Sequence, residues 1–151
     1  MERLVEKLKG AGVIGIDTPV FIYHFESHPD YSDITRQVLG AVESGACQAV
    51  TSMIALLEIM VQPYRTSQPQ LTRKYEALLA NFPNLNLMEV DREMTRLAAQ
   101  IRAEHNLRTP DALQLAACLV QGARLFITND RAFTRLEKSI EICLLDDYRS
   151  N

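Results

Sequence analysis

An α/β fold built on a mainly parallel central sheet is what this sequence predicts, and three observations predict it. Short apolar runs alternate with longer stretches of helical period, as strand–helix–strand crossovers require. Small polar residues and prolines open the helical stretches, twice as the pair Thr-Pro, at Thr18-Pro19 and Thr109-Pro110. Glycines close several of them, at Gly10, Gly45 and Gly122. Right-handed crossovers then place helices on both faces of a sheet of about five strands.

The elements follow in order. Residues 2–9 read as a short helix stopped by Gly10, and residues 12–17 (GVIGID) as a buried strand. Thr18 caps a helix that starts at Pro19 and runs to about Phe25. Residues 31–44 form a helix ended by Gly45, and Gln48–Thr51 a strand. Ser52 caps the helix SMIALLEIMVQ; residues 68–81 form another helix and 85–90 (LNLMEV) a strand. Asp91 caps a helix to about Asn106, and Thr109-Pro110 opens one to Gln121. Residues 124–128 read as a strand, 130–137 as a short helix and 140–144 as a final strand.

At 151 residues the chain suits a single domain. Folding at that length buries roughly two thirds of the unfolded surface, so no disulfide or metal staple is required. Apolar residues make up 47% and charged residues 23%, as in a soluble globular protein. No apolar run approaches the ~20 residues of a membrane span. The start, MERLVEKLKG, lacks the basic head and apolar middle of a signal peptide. Cys47, Cys118 and Cys143 match no metal knuckle or CxxC pair and read as buried free thiols in a reducing compartment. A cytoplasmic location with no membrane contact is therefore expected.

Four acids stand out by position. Asp17 ends the first strand, and Asp130 follows the strand 124–128. Asp111 lies in the first turn after Thr109-Pro110, and Glu58 sits within the apolar helix among Leu57, Ile59 and Met60. Singly, helix capping and the helix dipole explain three of them. Glu58 needs a partner, for which a buried arginine is one reading. Jointly, acids at neighbouring strand ends repel one another, and a hard divalent cation relieves that repulsion. An oxygen-only set selects Mg²⁺ or Mn²⁺ over zinc. On this reading Asp130 is a ligand, and Thr128 and Asn129 orient it by hydrogen bonds.

These residues carry a resemblance. GIDTPVFIYHFE (15–26), TSMIALLEIM (51–60), TPDALQLAACLVQGARLFITNDRAF (109–133) and the final strand resemble the PIN-domain family, most closely its VapC-like toxin branch. Asp17, Glu58, Asp111 and Asp130 match the family's four acids by position, and Thr128 its hydroxyl residue. Pro19 departs from the small polar residue common at that place. The resemblance implies a single PIN-like domain and metal-dependent cleavage of RNA, with the four acids catalytic. It also implies a small antitoxin partner; the broad apolar stripes of 31–44 and 68–81 suggest that partner or a homodimer.

Mg²⁺ or Mn²⁺ would activate the attacking water. Asp17 and Asp130 are expected as direct ligands, Asp111 as a ligand directly or through water, and Glu58 at a second ion or at the water. Net charge is -3, but with the four acids neutralised the remainder is +1, so acidity does not exclude RNA. Arg108, Arg131 and Arg135 flank the acids and are placed to reach phosphates; helix-surface ion pairs are the competing reading. His24, His28 and His105 read as structural or solvated. A PIN-like module that binds RNA or protein without cutting is the alternative. A receiver or an aspartyl phosphatase is disfavoured because Asp17 is followed by Thr-Pro-Val.

Overall fold

The computed structural model describes residues 3–149. The order of elements is α1 (Leu4–Ala11), β1 (Val13–Ile16), α2 (Thr18–Phe25), α3 (Ser32–Glu43), β2 (Gln48–Ser52), α4 (Met53–Arg65), α5 (Pro69–Ala80), β3 (Leu85–Met88), α6 (Arg92–His105), α7 (Thr109–Val120), β4 (Leu125–Thr128) and β5 (Glu141–Leu144). Two 3₁₀ turns, Arg131–Leu136 and Leu145–Tyr148, flank β5. Every element expected from the sequence is present; the second 3₁₀ turn was not foreseen.

The differences are local. The first helix passes through Gly10 and stops at Gly12, whose φ of +74° suits only a residue without a Cβ. Residue 2, where that helix was expected to begin, lies outside the described residues. Thr18 and Thr109 are the first helical residues rather than caps. The extended cap positions are Asp17 and Arg108. Ser52 and Asp91 do cap their helices, accepting from Ile54 N at 3.1 Å and Met94 N at 2.9 Å.

All five strands are parallel, in the order β3-β2-β1-β4-β5. The chain leaves β1 toward β2 and β3, then crosses back to lay β4 on the other side of β1. The direction of winding therefore reverses between β1 and β4, and a crevice opens at their carboxyl ends. The sheet separates two cores. Ile14, Ile16, Leu125 and Ile127 face α1 to α5 with Val20, Phe21, Val38 and Leu56. Val50 and Phe126 face α6 and α7 with Met94, Leu115 and Phe133. Cys47, Cys118 and Cys143 are buried and unpaired. Among the described residues no helix is long and apolar enough to cross a membrane.

The apolar stripe of α3 is consumed inside the first core, where Ile34, Val38, Leu39 and Val42 are buried. That helix therefore spends its stripe on the core, and this part of the expected surplus is not seen on α3. Among the described residues Leu57 and Tyr64 on α4 are the most exposed large apolar side chains, with Leu78 on α5 less so.

Gly15 lets α7 approach the sheet. A Cβ there would lie 2.8 Å from Cys118 Cβ, nearer still to its Sγ, and 3.0 Å from Phe126 Cδ1. These neighbours are buried and cannot move aside. Gly15→Ala is expected to destabilise by about 1–3 kcal/mol through overpacking. Adding Cys118→Ala should return only part of that loss, because it removes the Sγ contact while the Cβ at 2.8 Å and Phe126 Cδ1 at 3.0 Å remain. Urea midpoints of the two singles and the double measure the coupling, and simple additivity would refute this packing account.

Candidate active site

The reversal point brings Asp17 and Asp130 together. The Asp17 amide extends the ladder by donating to Ile127 O at 2.9 Å, which sets the residue beside the end of β4. Its side chain is only 4% exposed. Oδ1 accepts from Thr18 N at 2.9 Å and Oδ2 from Thr128 Oγ1 at 2.7 Å. Thr128 is fully buried, and its Oγ1 also accepts from the Asp130 amide at 3.1 Å. One hydroxyl thus joins the two acids. Asp130 Oδ1 accepts from Ala132 N at 2.9 Å and caps the first 3₁₀ turn. That turn is anchored by Phe133, buried against Phe126 with ring centroids 4.8 Å apart. β4 ends on Thr-Asn-Asp because side chains, not glycine, provide the hydrogen bonds of the turn.

Asn129 differs from expectation. Its Oδ1 accepts from the Asp146 amide at 3.1 Å, so it braces the chain after β5 rather than Asp130. Asp146 in turn accepts from the Tyr31 hydroxyl at 2.6 Å.

Among the described residues Glu58 has no arginine partner. Its Oε1 accepts from Thr18 Oγ1 at 2.7 Å, and Thr18 Oγ1 accepts from Gln114 Nε2 at 3.2 Å. Thr18 and Gln114 are site residues that sequence reasoning missed. The signal for Gln114 was present: a polar residue in the apolar run ALQLAACL calls for a buried partner as much as Glu58 does.

Asp111, with its side chain 13% exposed, receives Arg108 Nε at 3.2 Å. Arg108 is itself mostly exposed, so this pair adds little stability. Arg135 Nη1 lies 3.4 Å from the carbonyls of His105 and Asn106, not beside Glu137. Arg131 is exposed at the start of the 3₁₀ turn. The histidines are engaged elsewhere: His24 with Thr35 at 3.4 Å, His28 in a cluster with Tyr23 and Tyr31, His105 near Glu104 at 3.7 Å.

The four acids share one electrostatic neighbourhood. Burial pushes the Asp17 carboxyl up from 3.8 to about 7. Its bonds from Thr128 and Thr18 oppose the rise, and the charges of Asp111 and Glu58 add to it. Asp111 is also raised, by burial first and then by Asp130, against the pull of Arg108. The set is nevertheless open. Among the described residues no three Asp, Glu, His or Cys side chains are gathered closely enough to hold an ion as they stand. The donor chemistry fits a hard cation, since all four groups offer carboxylate oxygens and a cation would offset the repulsion that raises Asp17 and Asp111.

A parallel sheet with acids at its reversal point defines an α/β protein of the acidic strand-end class. Residues 14–139 match the PIN domain, and the chain belongs to that family. Solved structures share the fold. A chain of VapBC2 from Rickettsia felis, bound to a DNA fragment from its promoter, is 16% identical with a TM-score of 0.69, over 87% of this chain and 98% of that one. A toxin-antitoxin complex from Klebsiella pneumoniae is 21% identical with a TM-score of 0.63, over 88% and 97%. The DNA-bound VapBC of Salmonella typhimurium is 20% identical with a TM-score of 0.63, over 89% and 98%. Comparison with curated proteins returns no match.

The raised Asp17 carboxyl has a consequence for stability. A carboxyl whose folded pKa exceeds its unfolded value favours folding in the protonated form. Its contribution is complete below 3.8 and is lost as pH rises through about 7. Metal-free protein should lose on the order of 4 kcal/mol from this group over that window. Urea midpoints in EDTA at about pH 5 and about pH 8 should fall steeply in the wild type. They should fall much less in Asp17→Asn, and an equal fall would exclude Asp17 as the responsible group.

Proposed function

We propose that this protein is a metal-dependent ribonuclease, the toxin of a toxin-antitoxin pair, that hydrolyses RNA phosphodiester bonds. The observation that carries the reading is the buried Asp17 carboxylate, tied through Thr128 to Asp130 and raised chiefly by burial, with the charges of Asp111 and Glu58 adding to the rise. Such a set binds a hard divalent cation and has little use without one. Asp17 and Asp130 would hold Mg²⁺ or Mn²⁺ directly, with Asp111 direct or through water. A bound ion supplies Lewis-acid charge at the phosphate and acidifies water for in-line attack.

The chain's own groups do the rest. Glu58, half-buried and hydrogen-bonded by Thr18, orients the attacking water or supports a second ion. Thr128 keeps Asp17 and Asp130 in register. Arg108 stands before α7, Arg131 at the start of the 3₁₀ turn and Arg135 in its last turn, where guanidinium groups could reach phosphate oxygens. The family and the fold of the toxin-antitoxin structures support an antitoxin partner. The exposed Leu57 and Tyr64 of α4 offer apolar surface for that partner or for a second copy of this chain. A cytoplasmic site of action fits the three unpaired cysteines.

Purified protein incubated with total RNA tests the activity. Fragments should appear with Mn²⁺, disappear with EDTA, and fall at least about 100-fold in Asp130→Asn. Equal cleavage by the mutant would end the assignment of Asp130.

The open ligand set favours one competing reading, a PIN fold that binds RNA or protein without cutting. Thermal unfolding separates the two. On the nuclease reading Mn²⁺ raises the wild-type midpoint by mass action and leaves Asp17→Asn unmoved. A wild type indifferent to Mn²⁺ favours the binding module.

A further inference from the structure

A hydrogen-bonded chain runs through the interior from the start of α4 back to Glu58 on the same helix. The Ile54 amide donates to Ser52 Oγ at 3.1 Å. The Ser52 hydroxyl donates to Gln114 Oε1. Gln114 Nε2 donates to Thr18 Oγ1 at 3.2 Å, and the Thr18 hydroxyl donates to Glu58 Oε1 at 2.7 Å. Ser52, Gln114 and Thr18 are all buried, Gln114 to 1% exposure.

The polarity of the chain follows from its amide end. A backbone amide only donates, so Ser52 accepts at one end. The Ser52 proton then goes to Gln114 Oε1, which leaves the Gln114 N–H to face Thr18. Turning the Gln114 amide over would aim its carbonyl oxygen at Thr18. The single Thr18 proton would then face two acceptors, and one oxygen pair would meet without a hydrogen in a dry interior. With the amide as it stands, Gln114 occupies a lone pair of Thr18 and leaves the Thr18 proton for Glu58.

α7 presents two polar groups three residues apart, Asp111 and Gln114, and that spacing puts both on one helix face. Asp111 reaches the acidic edge, and Gln114 reaches the hydroxyl that holds Glu58. An apolar residue at 114 would bury at lower desolvation cost, so packing does not explain the glutamine.

We propose that Gln114 is a positioning residue which, through Thr18, fixes the orientation of Glu58 at the acidic edge. Its catalytic meaning rests on the nuclease reading; its structural content does not. Two measurements keep these apart. The first follows the Gln114 side-chain amide by ¹⁵N NMR in the metal-free protein. The Gln114 signals should exchange at least about tenfold more slowly than those of exposed amides, because buried and bonded N–H groups open rarely. They should shift in Glu58→Gln, lose protection in Thr18→Val and keep it in Thr18→Ser. Signals indifferent to Glu58→Gln and Thr18→Val would overturn the proposal, whether or not the protein cuts RNA.

The second measurement is RNA cleavage. Gln114→Leu and Thr18→Val should each lower kcat roughly 10- to 100-fold, as loss of an outer support does, with KM nearly unchanged. Thr18→Ser should recover most of the rate. In a Glu58→Ala background neither substitution should cost further rate, and losses that multiply would overturn the proposal. If Gln114→Leu does not fold, the Thr18→Val and Thr18→Ser pair decides alone. A wild type that cuts no RNA defeats the nuclease reading and leaves the amide measurement to decide the relay.

Discussion

The hydrogen bond from Thr128 to Asp17 is the contact on which the candidate site depends. It joins the ends of two strands that neighbour in space but lie 111 residues apart in sequence. Asp17 is buried deeply enough that its charge is costly, and two donors aimed at its two oxygens are what make it tolerable there. The same Thr128 oxygen receives the Asp130 amide, so the second acid is placed by the group that steadies the first. Loss of that hydroxyl would leave a buried carboxylate short of a donor and a turn short of an acceptor.

The sheet provides what this contact needs. Because β1 lies between β2 and β4, its carboxyl end opens into the crevice where the winding reverses, and side chains from both directions of winding converge there. α4 brings Glu58 from one side of the sheet and α7 brings Asp111 and Gln114 from the other. Burial of Asp17 and the proximity of Asp111 and Glu58 create an excess of negative potential at that end. The exposed guanidinium of Arg108 is the cation that relieves part of it, a role that the pull on Asp111 makes visible.

Much of this was legible in the sequence. Alternating apolar runs and helix starts located all five strands, and the positions of Asp17 and Asp130 at strand ends placed them at one edge. The misread details have physical causes. Thr-Pro marks a helix start whether the threonine is the cap or the first helical residue, so the threonines were read as caps where Asp17, itself a capping candidate, and Arg108 hold those positions. A glycine one residue before the last residue of a helix looks like its stop, but it is Gly12, with its positive φ, that ends α1. The partner of Glu58 was sought among charged residues, since buried charge suggests a counter-ion. A hydroxyl backed by an amide serves instead, and its residues lie 40 and 56 positions from Glu58 along the chain, beyond any local pattern. Asn129 sits next to Asp130 in sequence yet turns toward Asp146, because adjacent residues leaving a strand point to opposite sides.

The register that pairs Ile16 with Ile127 also determines when the site can exist. Asp17 is synthesised early, and the strand that completes its surroundings comes only after α7. A growing chain therefore carries β1 and β2 without β4, and the acidic edge has no counterpart to close against. Closing so long an interval of chain adds little to its entropic cost but slows the search for the native pairing. The meeting of Asp17 with Asp130 is thus withheld from the nascent polypeptide until almost the whole domain has left the ribosome.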